Sequence, residues 1–391
     1  MTTEILQQRR SLHFPLIDLL RGFAAISVVI YHIIEHFSWK AFPAEGILSW
    51  FRIGWMGVDL FFVISGLVIG LAAFSGIDKF GAQGFRADFI RRRIARIVPL
   101  HYLTMLVFIA FIMPEVMFQG FWANLLTHLF FLHNLFPAFH GAINGSNWSL
   151  GTEMQFYALM VVVSPWLYVA RIWKVLFAFL MVAWAWRLGT VWFVEPDAMG
   201  PFKIFLVSTQ LPGMLDEFAI GIVMAKLFRS DLGHRIFDYC QKLPVALGVC
   251  AVAAAVFYLM LSIYWRHASF WDIPVMVVLF RTFIAVSFGM IIFAACVITP
   301  SVQVKRLLWP LTYLGEISFG IYLWHLPVLL SLKRLNWLSF EQIVVLALVL
   351  TITLASVSWH FFERPLMQKY ARSTKKVSVQ ESVPQVEKAA V

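Results

Sequence analysis

Ten stretches of the sequence each run for about twenty mostly apolar residues, the length a helix needs to cross the hydrocarbon of a bilayer. They fall at 14–37, 53–74, 97–114, 150–170, 175–194, 204–227, 243–263, 273–298, 308–331 and 341–362. Few folds accept such a pattern. Backbone N–H and C=O groups in lipid find no water, so each segment has to satisfy its own, and a helix does so. The expectation is an all-α integral membrane protein of about ten transmembrane helices. Composition supports it: 61% of the 391 residues are hydrophobic and only 13% are charged, against about 25% charged in a soluble domain. A soluble fold of this length has no interior large enough for that much apolar surface.

The formal charge of +10 does not point to nucleic acid, because Lys and Arg sit in short runs between the apolar stretches. With the N-terminus inside, 22 of them fall in cytoplasmic segments and 6 in outer ones. That bias predicts cytoplasmic N- and C-termini. Arg9 and Arg10 precede the first stretch as in a signal peptide, but Arg21 lies inside it and no small-residue cleavage site follows, so an uncleaved first helix is expected. Residues 115–149 are apolar yet broken by Pro137, Gly141, Gly145 and several histidines, and are expected to form an outer interfacial or re-entrant element. Residues 1–370 read as one transmembrane domain, and the polar stretch 371–391 as a disordered cytoplasmic tail. The three cysteines make no disulfide or metal framework.

Ionisable residues within spans are costly, so each is a candidate for function. In the first helix Asp18, Arg21, His32 and His36 are spaced by 3, 11 and 4 residues. Eleven steps of 100° return within about 20° of the start, so Arg21 and His32 share one face about 16 Å apart. Such a stripe suits a polar tunnel with an anion-attracting inner end and a base deeper in. It equally suits an arginine reaching the interface and a histidine bonded to a neighbouring helix.

In the second span, Asp59 precedes Phe61-Phe62-Val63-Ile64-Ser65-Gly66, where a serine and a glycine favour close helix packing. Arg91, Arg92, Arg93 and Arg96 follow; Arg93 and Arg96 share a helix face and suit either phosphate oxygens or anionic lipid. Glu153, in Trp148-Ser149-Leu150-Gly151-Thr152-Glu153, either complements a helix dipole or takes part in proton transfer. Asp216 and Glu217, mid-span, need a polar environment, with Arg187 and Arg281 as available partners. His325, in Ser318–Pro327, is a second intramembrane histidine. No H-E-x-x-H, phosphate-binding glycine loop or nucleophile elbow occurs, and nothing calls for a metal.

In order, these motifs resemble those of acyltransferase family 3, integral membrane proteins that O-acylate bacterial surface polysaccharides and related acceptors. The resemblance covers most of residues 14–365. Arg21 and His32 resemble the family's Arg–ten residues–His signature, and Arg93 and Arg96 its R-x-x-R motif. Val58–Gly66, Trp148–Tyr157, Tyr322-Leu323-Trp324-His325 and Phe362-Glu363-Arg364-Pro365 are similar to its other segments. Met154 stands where a second glutamate often follows Glu153, and the C-terminal esterase-like domain of some relatives has no counterpart here.

The resemblance implies an enzyme of the bacterial inner membrane, transferring an acyl group, usually acetyl, from acyl-coenzyme A to a carbohydrate or polysaccharide hydroxyl. Acyl-CoA would be a co-substrate, with no tightly bound cofactor. Arg93 and Arg96, with Ser65 nearby, would hold the donor. His32 and Arg21 would serve transfer, with Asp18 or Glu153 orienting or recharging the histidine, by direct attack or through an acyl-histidine. Two other functions compete: a proton-coupled transporter, against which the lack of an internal repeat speaks, and a non-catalytic subunit of a polysaccharide export complex, which needs no Arg–His spacing.

Overall fold

The computed structural model describes residues 14–370 apart from 119, 195–199 and 336, and among these every regular element is helical. Arg9, Arg10 and the tail expected over 371–391 lie outside the described residues.

Helix α1 (Pro15–Phe37) starts on a proline, whose missing N–H is no loss in a first turn. It stops at Ser38, which is left-handed at φ 49° and ψ 47°; there the Ser38 and Trp39 amides donate to Glu35 O and Ile34 O. A 3-10 segment (Ile47–Met56) leads into α2 (Gly57–Val107), which is broken at Gly81. The two legs fold back on each other there. A Cβ on Gly76 would lie 3.2 Å from that of Phe85, whereas a straight helix holds residues nine apart at about 13 Å. After short turns come α3 (Phe121–Leu129), α4 (Trp148–Val169), α5 (Ile172–Phe193), α6 (Gly200–Ser208) and α7 (Leu215–Phe228). Helices α8 (Asp231–Cys240), α9 (Leu243–Arg266), α10 (Pro274–Val297), α11 (Val302–Glu316), α12 (Ser318–Lys333) and α13 (Phe340–Ser358) complete the described chain.

All ten apolar stretches are helical, but they are not ten equal rods. Among the described residues, six helices are long and apolar enough to cross a bilayer, or seven if α11 and α12, bent by 61°, count as one span. Two expected spans, 53–74 and 97–114, are the legs of the bent α2. The stretch 204–227 is interrupted around Leu211-Pro212, between α6 and α7. Helix α4 is continuous but opens on Ser149, Thr152, Glu153 and Gln155, too polar a start to resemble the other spans.

The core is built by helices that approach until their backbones touch. Helix α1 packs on α2, α10, α11 and α12. A Cβ on Gly315 of α11 would sit 1.7 Å from Asp18 O, so only glycine permits that crossing. The first leg of α2 meets α7 in the same way, where a Cβ on Gly66 would sit 2.2 Å from Phe218 O. Helix α9 is peripheral: 11% of its apolar window is buried against 56% for α2, and Leu243, Leu247 and Tyr258 face outward. Those side chains suit lipid as their solvent.

The stretch 115–149 turns its polar groups inward. His128, His133, Asn144 and Asn147 are buried. Asn144 Nδ2 donates to Leu323 O of α12 at 3.0 Å, His133 Nε2 to Asn147 O at 2.9 Å, and His101 Nε2 of α2 to His128 O at 3.2 Å. Each buried polar atom bonded this way avoids a loss of about 1–3 kcal/mol. The segment is thus held by hydrogen bonds against α2 and α12.

Candidate active site

Helices α1, α2, α4 and α12 and the end of the chain's described part enclose a cavity of about 590 Å³. Its apolar walls carry a small set of charges. Arg21 projects from α1, Arg93 and Arg96 from the second leg of α2, and Glu153 from α4. Asp18 lies one turn before Arg21, and Arg21 Nη1 donates to Asp18 Oδ1 at 3.2 Å while Nη2 donates to Ser318 Oγ at 3.1 Å. Glu153 Oε1 accepts from Ser65 Oγ at 2.7 Å and from Tyr157 Oη at 2.5 Å. Two donors on one oxygen fix the carboxylate in place among the arginines, whose charge it partly offsets.

Arg93 is packed rather than paired. Its guanidinium lies 5.7 Å from the ring centroids of both Phe89 and Tyr157, and its buried Nε has no hydrogen-bond partner. Stacking leaves the edge of the guanidinium free to donate, the arrangement by which arginine grips phosphate or carboxylate oxygens. Arg92, by contrast, turns outward and is held by Asp88 at 2.8 Å.

Seven residues singled out in the sequence therefore meet at one cavity: Asp18, Arg21, Ser65, Arg92 at its exposed edge, Arg93, Arg96 and Glu153. His32 is not among the residues that line this cavity, whereas Phe61 and Tyr322 are, with ring centroids 6.3 Å apart. Tyr322 Oη is pinned there, donating to Ser146 O at 2.6 Å and lying 2.6 Å from Ser149 Oγ. His32 faces His325 with ring centroids 4.9 Å apart. Asp18 meets Arg21, not His32.

Asp216 and Glu217 belong to a second, fully buried charge cluster. Asp216 pairs with Arg187, both completely buried, and accepts from Thr282 Oγ1 at 2.5 Å. Arg281 Nη1 donates to Asp59 Oδ1 at 2.5 Å and lies 3.7 Å from Glu217 Oε1, its guanidinium centred 5.5 Å from the rings of Trp55 and Trp271. None of these five charged residues lines the arginine cavity. The cluster ties α2, α5, α7 and α10 together.

Sequence reasoning missed two features. Ser318 bonds Arg21 across 297 positions, and its only sequence signal is that it precedes His325 by two helical turns. The stacked pair His128–His133, 4.2 Å between centroids, was visible only as histidines in an apolar stretch.

A family model described as an acyltransferase domain matches residues 14–360. The chain is 28% identical over 386 residues to the Bacillus subtilis (strain 168) protein named "Putative peptidoglycan O-acetyltransferase YrhL", covering 92% of this chain and 56% of that one. It is 24% identical to "O-acetyltransferase OatA" of Staphylococcus aureus, covering 91% and 58%. It is 28% identical to "Putative membrane-bound transacylase BcsY" of Komagataeibacter xylinus, covering 87% and 80%. The chain thus spans little more than half the length of the first two relatives. No solved structure matches significantly.

Proposed function

The chain belongs to the acyltransferase family whose model covers residues 14–360, and from that premise we propose that it is a membrane O-acyltransferase. In this reading it moves an acyl group, usually acetyl, from acyl-coenzyme A to a hydroxyl of a cell-surface or exported carbohydrate. The observation that carries the reading is the cavity in which Arg21, Arg93 and Arg96 converge around a fixed Glu153. Three guanidinium groups on largely apolar walls suit the phosphates and the apolar arm of a CoA thioester. The name of the Bacillus relative, a peptidoglycan O-acetyltransferase, supports a carbohydrate acceptor.

The proposed topology has ten membrane-inserted helical stretches and both termini on the cytoplasmic side of the bacterial inner membrane, as the Lys and Arg bias requires. The arginine cavity then takes the donor, a co-substrate rather than a resident cofactor, from the cytoplasm. His32, about 16 Å further along α1, works toward the opposite face. Its imidazole removes the proton from the acceptor hydroxyl as that oxygen attacks the thioester carbon. For the two to meet, the acyl arm passes from the arginine cavity toward His32 along α1.

The test is release of free thiol from acetyl-CoA by the purified protein in the presence of a glycan acceptor. Acceptor-dependent release, lost in Arg93→Ala/Arg96→Ala, is expected. Acceptor transport with no thiol release would replace the enzyme with a transporter.

A further inference from the structure

His32 and His325 are 293 residues apart in sequence and adjacent in space, His32 Nδ1 lying 3.3 Å from His325 Nε2. Each ring is also anchored to its own helix. His32 Nδ1 is 2.9 Å from Val28 O, and His325 Nδ1 is 2.6 Å from Tyr322 O. A carbonyl oxygen only accepts, so Nδ1 carries the hydrogen in both rings and, in the neutral imidazole, Nε2 is the bare nitrogen. The His32 Nδ1–H is then shared between Val28 O and the lone pair of His325 Nε2. His32 Nε2 makes no hydrogen bond to the described residues and points away from this contact. His325 is 1% exposed, while His32 keeps partial exposure.

We propose that His325 is the positioning residue for His32: its Nε2 accepts the His32 Nδ1 hydrogen, holds the tautomer with a free Nε2, and steadies the imidazolium formed during transfer. This rests on the reading of His32 as the base. The step balances without a further reactant. The acceptor O–H passes its proton to His32 Nε2 as the oxygen–carbon bond forms. The carbon–sulfur bond of the thioester breaks, and the thiolate takes that proton from Nε2, leaving an ester and CoA thiol. His325 gains and loses nothing; its bond to Nδ1–H becomes charge-assisted while His32 is protonated. The part is the one a buried carboxylate plays toward histidine in serine hydrolases. Here it falls to a neutral ring, which adds no buried negative charge beside the arginine cavity.

The wall residue Tyr322 gives the pair a link to the donor side. Its carbonyl anchors His325 and its side chain lines the cavity, so one turn of α12 touches both the base's partner and the donor site.

The test compares His325→Leu, which fills the space without an acceptor, with His325→Gln, whose side-chain oxygen accepts. Acceptor-dependent thiol release is measured with acetyl-CoA on the full chain. His325→Leu is expected to lower kcat roughly 10- to 150-fold, the loss of one hydrogen bond to a charged group. The KM for acetyl-CoA should not change, and His325→Gln should recover most of kcat. If His325→Leu does not fold, His325→Phe, ring-sized and without an acceptor, takes its place. Wild-type kcat in the Leu or Phe variant overturns the inference. So does equal loss in the Gln variant with a raised KM, which marks His325 as structural. His32→Gln in parallel separates the two levels: if it is inactive while His325→Leu is fully active, only this inference fails; if it is active, the base assignment itself falls.

Discussion

Asp216 and Glu217 are neighbours on α7, both fully buried, and the structure predicts opposite consequences for neutralising them. Asp216 Oδ2 holds the Arg187 guanidinium and accepts from Thr282 Oγ1 at 2.5 Å. Asp216→Asn leaves Arg187, buried in the same place, without its counter-charge. Removing one partner of a buried pair costs ~3–5 kcal/mol, because the remaining charge stays out of water. Glu217 differs in kind. Its carboxyl lies beside that of Asp59, and its approach to Arg281 is 3.7 Å, where Asp59 already sits at 2.5 Å. Three carboxyl groups in this cluster face two guanidinium groups, so Glu217→Gln removes the carboxyl that has no guanidinium of its own. Its expected cost is under ~1 kcal/mol, since the amide keeps the shape and can still donate to the Asp59 carboxyl. Thermal unfolding of the purified protein in detergent, followed by tryptophan fluorescence, checks this. Asp216→Asn should unfold at a clearly lower temperature, and Glu217→Gln within a degree or two of the wild type. Equal destabilisation by both substitutions would refute this charge assignment.

At the cavity, Arg93→Ala with Arg96→Ala should weaken acyl-CoA binding roughly 10- to 150-fold for each charge-assisted hydrogen bond to the donor that is removed, with membrane insertion intact because Arg91 and Arg92 remain; unchanged affinity by calorimetry would return the cluster to a topology anchor. His32→Gln should lower transfer by ~10²–10⁴-fold while still binding CoA; acetylation at near wild-type rate would make His32 structural. Gly315→Leu should drive α11 off α1, since even a Cβ there lies 1.7 Å from Asp18 O; loss of folded protein by size-exclusion chromatography is expected, and a variant with wild-type stability would contradict the backbone contact.

The local geometry of the site was legible because it is written along single helices. The three-residue step from Arg93 to Arg96 predicts two arginines on one face, and both line the cavity, whereas Asp18, expected beside His32, pairs with Arg21 one turn away. Apolar length announced helices in all ten stretches, because a buried backbone has to bond to itself. Breaks were harder to place. The break around Leu211-Pro212 and the 61° angle between α11 and α12 interrupt stretches whose hydropathy runs on regardless, and hydropathy carries no record of φ.

What the sequence determined by itself is the chemistry on each helix face: which residues are charged, how they are spaced, and that lipid is the main solvent. Which face meets which was decided by the fold alone. Ser65 with Glu153, Arg187 with Asp216, and His32 with His325 are pairs 88, 29 and 293 residues apart. No helical period relates such positions. Each pairing depends on how two helices rotate and cross, which is set where small residues such as Gly66 and Gly315 let backbones touch. That is why Arg21 and His32, correctly read as sharing a face of α1, end in different surroundings, one in a cavity and the other against a histidine of α12.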